Sequence, residues 1–420
     1  MATGTVAPPP AADAASFHRF HREELPRRIA DGNGALAWVD LRDLGTLGLR
    51  TPAGTYTYVP EGGTVLVVEG DERADTVIDL DLESFAGLAG DLDTAPGLFY
   101  GGRVTASRGK PLRFVRWEPG LRALYHGLPI FDPDTADLRD RHGAPLDPGR
   151  RFALDELAAH HDDARHFLGE AGYVVVTGVF DDDECAAMRR EADALEAGAG
   201  PGDGQSWWGR TTGGTDVLTR VLNGADRDRL RELHHDPRVL AIAGTAAEHL
   251  TSRELDGRDA VTVLWKRAEV AEGLADLPWH RDCGMGGHAL NCPTAIMTIC
   301  LTDGSPEAGE LRVLPGSHRG SFPFVDGRDV RAPDGTPVRV TAGDVSLHYS
   351  DVMHASLPPT TADGPERISV LLAFVPDGAG HHRGARHYND VLLGGEGGQV
   401  EHLGQRLADG TGPTAAGDRG

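Results

Sequence analysis

Cysteine is scarce in this chain, long apolar runs are missing and positive charge is outnumbered; each shortage closes off a class of protein. Four cysteines (Cys185, Cys283, Cys292 and Cys300) in 420 residues are too few for a disulfide framework, and a reducing compartment such as the cytoplasm is expected. Their spacing also misses the paired Cys-x-x-Cys pattern of a structural zinc site. Apolar runs such as Val65–Val68 and Tyr173–Val176 fall far short of the roughly 20 residues a membrane-spanning helix needs. The N-terminal stretch carries neither a basic start nor an apolar core, so no secretory signal is expected there. With 41 Lys and Arg against 64 Asp and Glu, the formal net charge is −23, which repels phosphate backbones and anionic lipid. A small molecule is the expected partner, and neither nucleic acid nor membrane is.

What is present reads as an ordinary soluble composition, 40% apolar and 25% charged, in a chain long enough for two or three domains. Residues 1–16 are Ala/Pro-rich and expected to be disordered. Residues 17–131 read as an N-terminal α+β domain. It has a helix over 17–30, extended segments at 55–59, 64–69 and 75–80, a helix near 82–88 and another extended stretch over 102–116. Turn formers and charge crowd 132–152, a linker. Residues 153–394 form the larger unit, opening with a helix over 153–171 and the apolar strand 173–176. The acidic run Asp181–Glu184 suits the N-terminus of a following helix, where the backbone dipole favours negative charge. Beyond residue 260 short strands alternate with Gly/Pro turns, the pattern of an antiparallel jelly roll or barrel. A Gly-rich tail covers 395–420. The fold class expected is α+β, mainly β in its core.

A lone His-x-Asp step means little, because 19 histidines in this Asp-rich chain produce roughly two by accident. Four occur: His160/Asp162, His161/Asp163, His234/Asp236 and His280/Asp282. The first two lie in a helical segment and the third at a helix end, where capping explains it. Only His280/Asp282 follows a strand-like segment, Val261–Trp265 and then Leu277-Pro278-Trp279. Alternate residues of an extended chain face one side, so this imidazole and carboxylate address one cavity. A third ligand must come from a distant strand. His348 and His354 compete for that place, and His354 has the better downstream partner: Arg367-Ile368-Ser369 follows 13 residues on, with Arg and Ser on the same strand face. Two imidazoles and a carboxylate make the facial triad that holds a non-heme ferrous ion with positions left open. A planar guanidinium grips a carboxylate through two hydrogen bonds, and a neighbouring hydroxyl adds a third.

With these residues in place, the region from about 165 to 393 resembles the phytanoyl-CoA dioxygenase family of Fe(II)/2-oxoglutarate enzymes. The matching pieces are Gly172–Val176 with its following helix, Trp279-His280-Arg281-Asp282, Glu310–His318, Gly343-Asp344 through His354-Ala355-Ser356, and Arg367. The resemblance implies a double-stranded β-helix core (jelly roll, cupin-like) with flanking helices. It assigns iron to His280, Asp282 and His354, and the distal carboxylate of 2-oxoglutarate to Arg367. Ser369 is similar to the second member of an Arg-x-Ser step in the wider superfamily. The implied reaction uses O2 and releases succinate and CO2 while a small-to-medium metabolite is hydroxylated, desaturated or cyclised. Halogenating relatives lack the carboxylate ligand; Asp282 stands here, which argues against chlorination.

Other residues are candidates with plainer alternatives beside them. The strand Thr294–Thr302 alternates, and Thr298 on its half-polar face is a candidate for hydrogen bonding the co-substrate; a strand exposed on one side reads equally well. Lys266, on the strand before the triad, has the reach to meet a carboxylate or simply to sit at the surface. Trp207, Trp208 and Arg210 fall in the Gly-rich stretch 199–214, read as a loop and substrate lid, although packing of one Trp is the simpler account. His288 and Asn291 are candidate substrate contacts. Gly284–Ala289 matches G-x-G-x-x-A formally, yet no helical pattern follows, so a dinucleotide site is rejected. Residues 55–104 resemble the sterol-carrier-like fold, which implies an apolar groove. No residue marks a lipid site, so a homodimer interface or lid-like appendage stands beside lipid carriage.

Two rival readings remain at this point. A cupin-like metal isomerase or hydrolase would turn over without O2. A lipid-binding protein with a vestigial barrel would have no use for intact ligands and Arg367. The large N-terminal unit and the Trp-containing stretch point toward biosynthesis of specialised metabolites.

Overall fold

The computed structural model describes residues 11–100, 102–252, 260–268, 270–272, 277–282, 294–322 and 332–376. The N-terminal unit is a five-stranded sheet in the order Thr64–Glu69, Gly54–Glu61, Leu47–Thr51, Thr76–Leu80, Val104–Arg108. The Leu47–Thr51/Thr76–Leu80 pair is parallel and its neighbours are antiparallel. Helical turns run from Ala14 to Leu41, with a kink at Gly32 whose φ of 116° only glycine takes easily. The helix thus begins inside the stretch expected to be disordered, because Asp13 accepts the Ser16 backbone N–H at 2.7 Å and caps it.

Two further differences have local causes. The extended segment expected over 102–116 ends at Arg108, and a helix runs over Pro111–His126. Proline starts that helix, where its missing N–H costs nothing, and Gly127 in the left-handed region ends it. A Cβ at Gly120 would lie 2.3 Å from Leu41, so glycine lets this helix lie against Gly34–Leu41. The strand Leu47–Thr51 was not anticipated. Its buried pattern is nearly continuous, as befits a strand flanked on both sides.

The larger unit opens with the strand Phe152–Ala153 and a 3-10 turn at Leu154–Glu156, so its first helix is confined to His161–Ala171. Gly172 (φ 85°) closes that helix and feeds the strand Tyr173–Thr177. The helix Asp182–Gly198 carries a capping box, with Asp181 and Glu184 answering each other's backbone N–H groups. A ten-stranded sheet follows the order Val270–Glu272, Ser206–Thr211, Asp216–Val221, Val261–Lys266, Arg367–Pro376, Ala295–Cys300, Val345–Tyr349, Tyr173–Thr177, Phe152–Ala153, with Leu250–Ser252 alongside Arg367–Pro376. A four-stranded sheet has the order Leu277–His280, His354–Ser356, Leu311–Val313, Thr336–Pro337. The architecture is mixed α+β with several sheets. No helix among the described residues is long and apolar enough to cross a membrane.

Residues 199–214, read as a loop, contain the strand Ser206–Thr211, antiparallel to Asp216–Val221. Pairing with that neighbour overrides the local glycine content. Trp207 (2% exposed) and Leu222 from this hairpin join the apolar core of the N-terminal unit, with Phe114, Trp117 and Leu121. The chain linker at 132–152 therefore does not separate the two cores. Residues 1–10 and 377–420, including the Gly-rich tail, lie outside the described residues.

Candidate metal centre

The four-stranded sheet brings the His-x-Asp step and the distant histidine together. His280 ends the strand Leu277–His280, His354 opens His354–Ser356, and the two pair in register. Asp282 Oδ1 lies 3.7 Å from His280 Nε2 and 3.7 Å from His354 Nε2. One ligand atom from each of the three residues falls within 4.8 Å of the others. His280 and His354 are buried, and Asp282 is half-buried.

The electrostatics of this group suit a divalent cation. His354 Nδ1 lies 3.0 Å from the Val352 carbonyl, which can only accept, so Nδ1 carries the proton and Nε2 faces Asp282 with its lone pair free. Burial, reinforced by His280 and His348 alongside, pushes the His354 pKa down to about 3, so its imidazole is neutral at ordinary pH. Burial alone would raise the Asp282 carboxyl, but His354, His280 and His348 overcome this and hold it well below the usual carboxylate range. The donor set is two imidazoles and one carboxylate closing on one point, which fits the facial site of a ferrous ion.

The triad borders a cavity of about 90 Å³. Its walls include Lys266, Thr298, Arg367 and Ser369 from the large sheet and Leu311 and Ser356 from the small one. Thr298 and Ser369 are buried on adjacent strands of that sheet. Lys266 and Arg367 stand opposite each other in register. Lys266 is 4% exposed and donates to the Ser356 carbonyl at 3.2 Å. Arg367 donates to Ser356 Oγ at 2.9 Å. Its Nε is sealed from solvent with no hydrogen-bond partner among the described residues, and burial lowers its pKa. The hydroxyl that meets Arg367 is thus Ser356, whereas Ser369 lines the same wall.

Several sequence candidates fall elsewhere. Trp207 borders the cavity, packed into the N-terminal core instead of covering the site as a lid. Trp208 is not among the lining residues; its indole N–H donates to Ser206 Oγ at 2.7 Å. Arg210 is also absent from the lining and pairs with Asp216 at 2.9 Å. Both departures follow from the strand alternation that turns Trp207 inward. His288 and Asn291 lie outside the described residues.

Three further groups stand at or beside the site, His348 as the histidine set aside in favour of His354 and Arg220 and Arg281 without an assigned role. His348 Nε2 lies 3.3 Å from Asp282 Oδ2, on the oxygen other than the one shared by the triad's histidines. The Ser346/His348 alternation on its strand was the available signal. Arg220 borders the cavity from the strand Asp216–Val221. Arg281, between two triad residues, points the opposite way and meets Glu118 Oε1 at 2.7 Å. No sequence pattern links residues 163 positions apart.

Residues 168–368 match the phytanoyl-CoA dioxygenase (PhyH) family. That match starts well after the N-terminal unit and lends no support to the sterol-carrier resemblance. No curated protein matches the chain. Among solved structures, AviO1 from Streptomyces viridochromogenes Tue57 is 24% identical over 52% of this chain and 95% of its own, with a TM-score of 0.40. The non-heme alpha ketoglutarate dependent epimerase SnoN from nogalamycin biosynthesis is 23% identical over 62% of this chain and 98% of its own, with a TM-score of 0.43. EctD from S. alaskensis, solved with 2-oxoglutarate and 5-hydroxyectoine, is 20% identical over 57% and 83%, with a TM-score of 0.41.

Proposed function

We propose, from the match of residues 168–368 to the phytanoyl-CoA dioxygenase (PhyH) family and from the donor set of the site, that the protein is an Fe(II)/2-oxoglutarate-dependent enzyme that oxidises a small-to-medium metabolite. The change at the substrate is a hydroxylation, a desaturation or an oxidative ring closure. The observation that carries this reading is the sharing of one cavity by the His280/Asp282/His354 group and a guanidinium, Arg367, whose Nε lacks a partner among the described residues. A buried donor without an acceptor is costly, and a carboxylate presented by a co-substrate would satisfy it.

Each residue then has a task. His280, Asp282 and His354 hold the metal, and the Val352 carbonyl fixes the His354 tautomer that makes Nε2 a ligand. Arg367 receives the distal carboxylate of 2-oxoglutarate, with the Ser356 hydroxyl holding the guanidinium in place. Lys266, opposite in register, adds positive charge on the same side. The Thr298 hydroxyl, with no protein partner among the described residues, faces the same space. When bound, Fe(II) with 2-oxoglutarate and O2 supplies the oxidising power, and succinate and CO2 leave as co-products. Leu264, Trp265, Ile296 and Leu371 give the cavity apolar walls that limit water around the reacting groups.

Anaerobic addition of Fe(II) and then 2-oxoglutarate should produce a weak visible charge-transfer band, and O2 should then release succinate. His354→Ala should lose the band. A wild-type protein without the band, or a band that persists unaltered in His354→Ala, would overturn the assignment. Turnover of a substrate without O2 or succinate would instead favour a metal isomerase or hydrolase.

A further inference from the structure

One cation in the cavity wall is left without a task by this reading. Arg220 sits on the strand Asp216–Val221, in register with Leu264, which is itself in register with Ser369. Directly paired residues share a sheet face, so Arg220 looks toward the cavity from two strands away. Strands lie roughly 4.8 Å apart, which puts the Arg220 backbone on the order of 10 Å from the Ser369 position. It therefore enters the cavity wall from a different strand than Arg367 and Lys266.

The Arg220 guanidinium lies 4.5 Å above the ring of Trp207. Trp207 is itself 2% exposed, so the ring over which the guanidinium sits is held by packing and favours a cation there. Among the described residues Arg220 has no hydrogen-bond acceptor and no acidic partner. Arg210, on the neighbouring strand, does have one in Asp216. Among the described residues the cavity wall presents three cations, Arg220, Lys266 and Arg367, against one carboxylate, that of Asp282. This inverts the balance of a chain whose net charge is −23. A divalent metal would add to the excess, and the two carboxylates of 2-oxoglutarate would only partly offset it.

We infer that Arg220 binds an anionic group of the substrate, a carboxylate or a phosphate, and that the substrate class is accordingly anionic. This rests on the Fe(II)/2-oxoglutarate reading, because it takes Arg367 to be occupied by the co-substrate. A fork of donors held over an indole suits either oxyanion, and Lys in its place would keep charge without the fork.

The test uses full-length protein loaded anaerobically with Fe(II) and 2-oxoglutarate, so that Arg367 is already engaged. Benzoate, phenyl phosphate and neutral benzamide are titrated by calorimetry against wild type, Arg220→Gln and Arg220→Lys. One of the two anions should bind wild type at least about tenfold more tightly than benzamide, and the preferred one reports carboxylate or phosphate. Arg220→Gln should abolish that preference and Arg220→Lys restore part of it, while 2-oxoglutarate affinity moves by less than about threefold. Equal binding of anions and benzamide by wild type overturns the inference. So does a preference that survives in Arg220→Gln, or a parallel loss of 2-oxoglutarate affinity. Failure of wild type to bind 2-oxoglutarate at all would be seen first, in the absent charge-transfer band, and would sink the reading beneath it.

Discussion

Two arginines border the same short His-x-Asp segment in space and live under opposite conditions. Arg281 lies between His280 and Asp282 in the chain and is 5% exposed, with its guanidinium 2.7 Å from Glu118. Glu118 is equally buried on the helix Pro111–His126, and Arg122 one turn on donates to Asp91 at 3.2 Å. Arg367, across the cavity, has among the described residues one hydrogen-bond partner, the Ser356 hydroxyl, and a sealed Nε with none. A buried guanidinium with its carboxylate is a lock between parts of a fold; one without a carboxylate is a receptor for an anion. The segment that offers two ligands to the cavity, His280 at the strand end and Asp282 in the turn after it, offers its middle residue to the N-terminal unit. That unit is thereby tied to the triad by charge as well as by the shared packing of Trp207.

The comparison breaks first at the lock. Arg281→Met removes the cation nearest to a buried carboxylate and leaves it only the more distant Arg122, at 3.9 Å, so a loss of about 3 kcal/mol in unfolding free energy is expected. Denaturant titration measures it. Adding Glu118→Leu should recover most of that loss, since a buried ion pair replaced by apolar groups is often neutral. If Arg281→Met is as stable as wild type, or the double variant is worse than the single one, the pair is not a lock.

The matching change at the receptor should behave the other way. Arg367→Met should lower 2-oxoglutarate affinity by about 100-fold, near 2.7 kcal/mol, as expected when a charge-assisted bidentate contact is lost. Its melting temperature should hold or rise slightly, because a poorly paired cation has been removed. A titration of the charge-transfer band reads the first effect and calorimetric melting the second. Large destabilisation with undiminished co-substrate affinity would make Arg367 structural, and the contrast with Arg281 would disappear.

How much of this was legible in the sequence depends on how far each interaction reaches along the chain. The His280/Asp282 pair, the cap at Asp181 and the apolar strand at 173–176 are local and readable, although the strand expected to carry both ligands ends at His280 and Asp282 follows in a turn. His354 was preferred over His348 through its downstream Arg367, and the fold sets both histidines beside Asp282, on different oxygens. Ser356 as the partner of Arg367 was not readable, because Ser369 on the same strand offered a nearer hydroxyl in sequence. The strand Ser206–Thr211 was hidden by flanking glycines, and only pairing with Asp216–Val221 reveals it. The Glu118–Arg281 pair spans two units and left no periodic trace at all.

The smallest expected effect refines the receptor side. Thr298 is 8% exposed, borders the cavity and lies in register with Leu371. Valine matches its shape and removes only the hydroxyl, which has no protein partner among the described residues, so no buried group is orphaned by the change. Stability should therefore stay within about 0.5 kcal/mol of wild type, as for substitutions that break no network. Should the hydroxyl donate to the bound co-substrate, the loss of one neutral hydrogen bond weakens 2-oxoglutarate by roughly fivefold, far less than at Arg367. Unaltered affinity in Thr298→Val would confine recognition of the co-substrate to the charged groups, with Thr298 reduced to a wall.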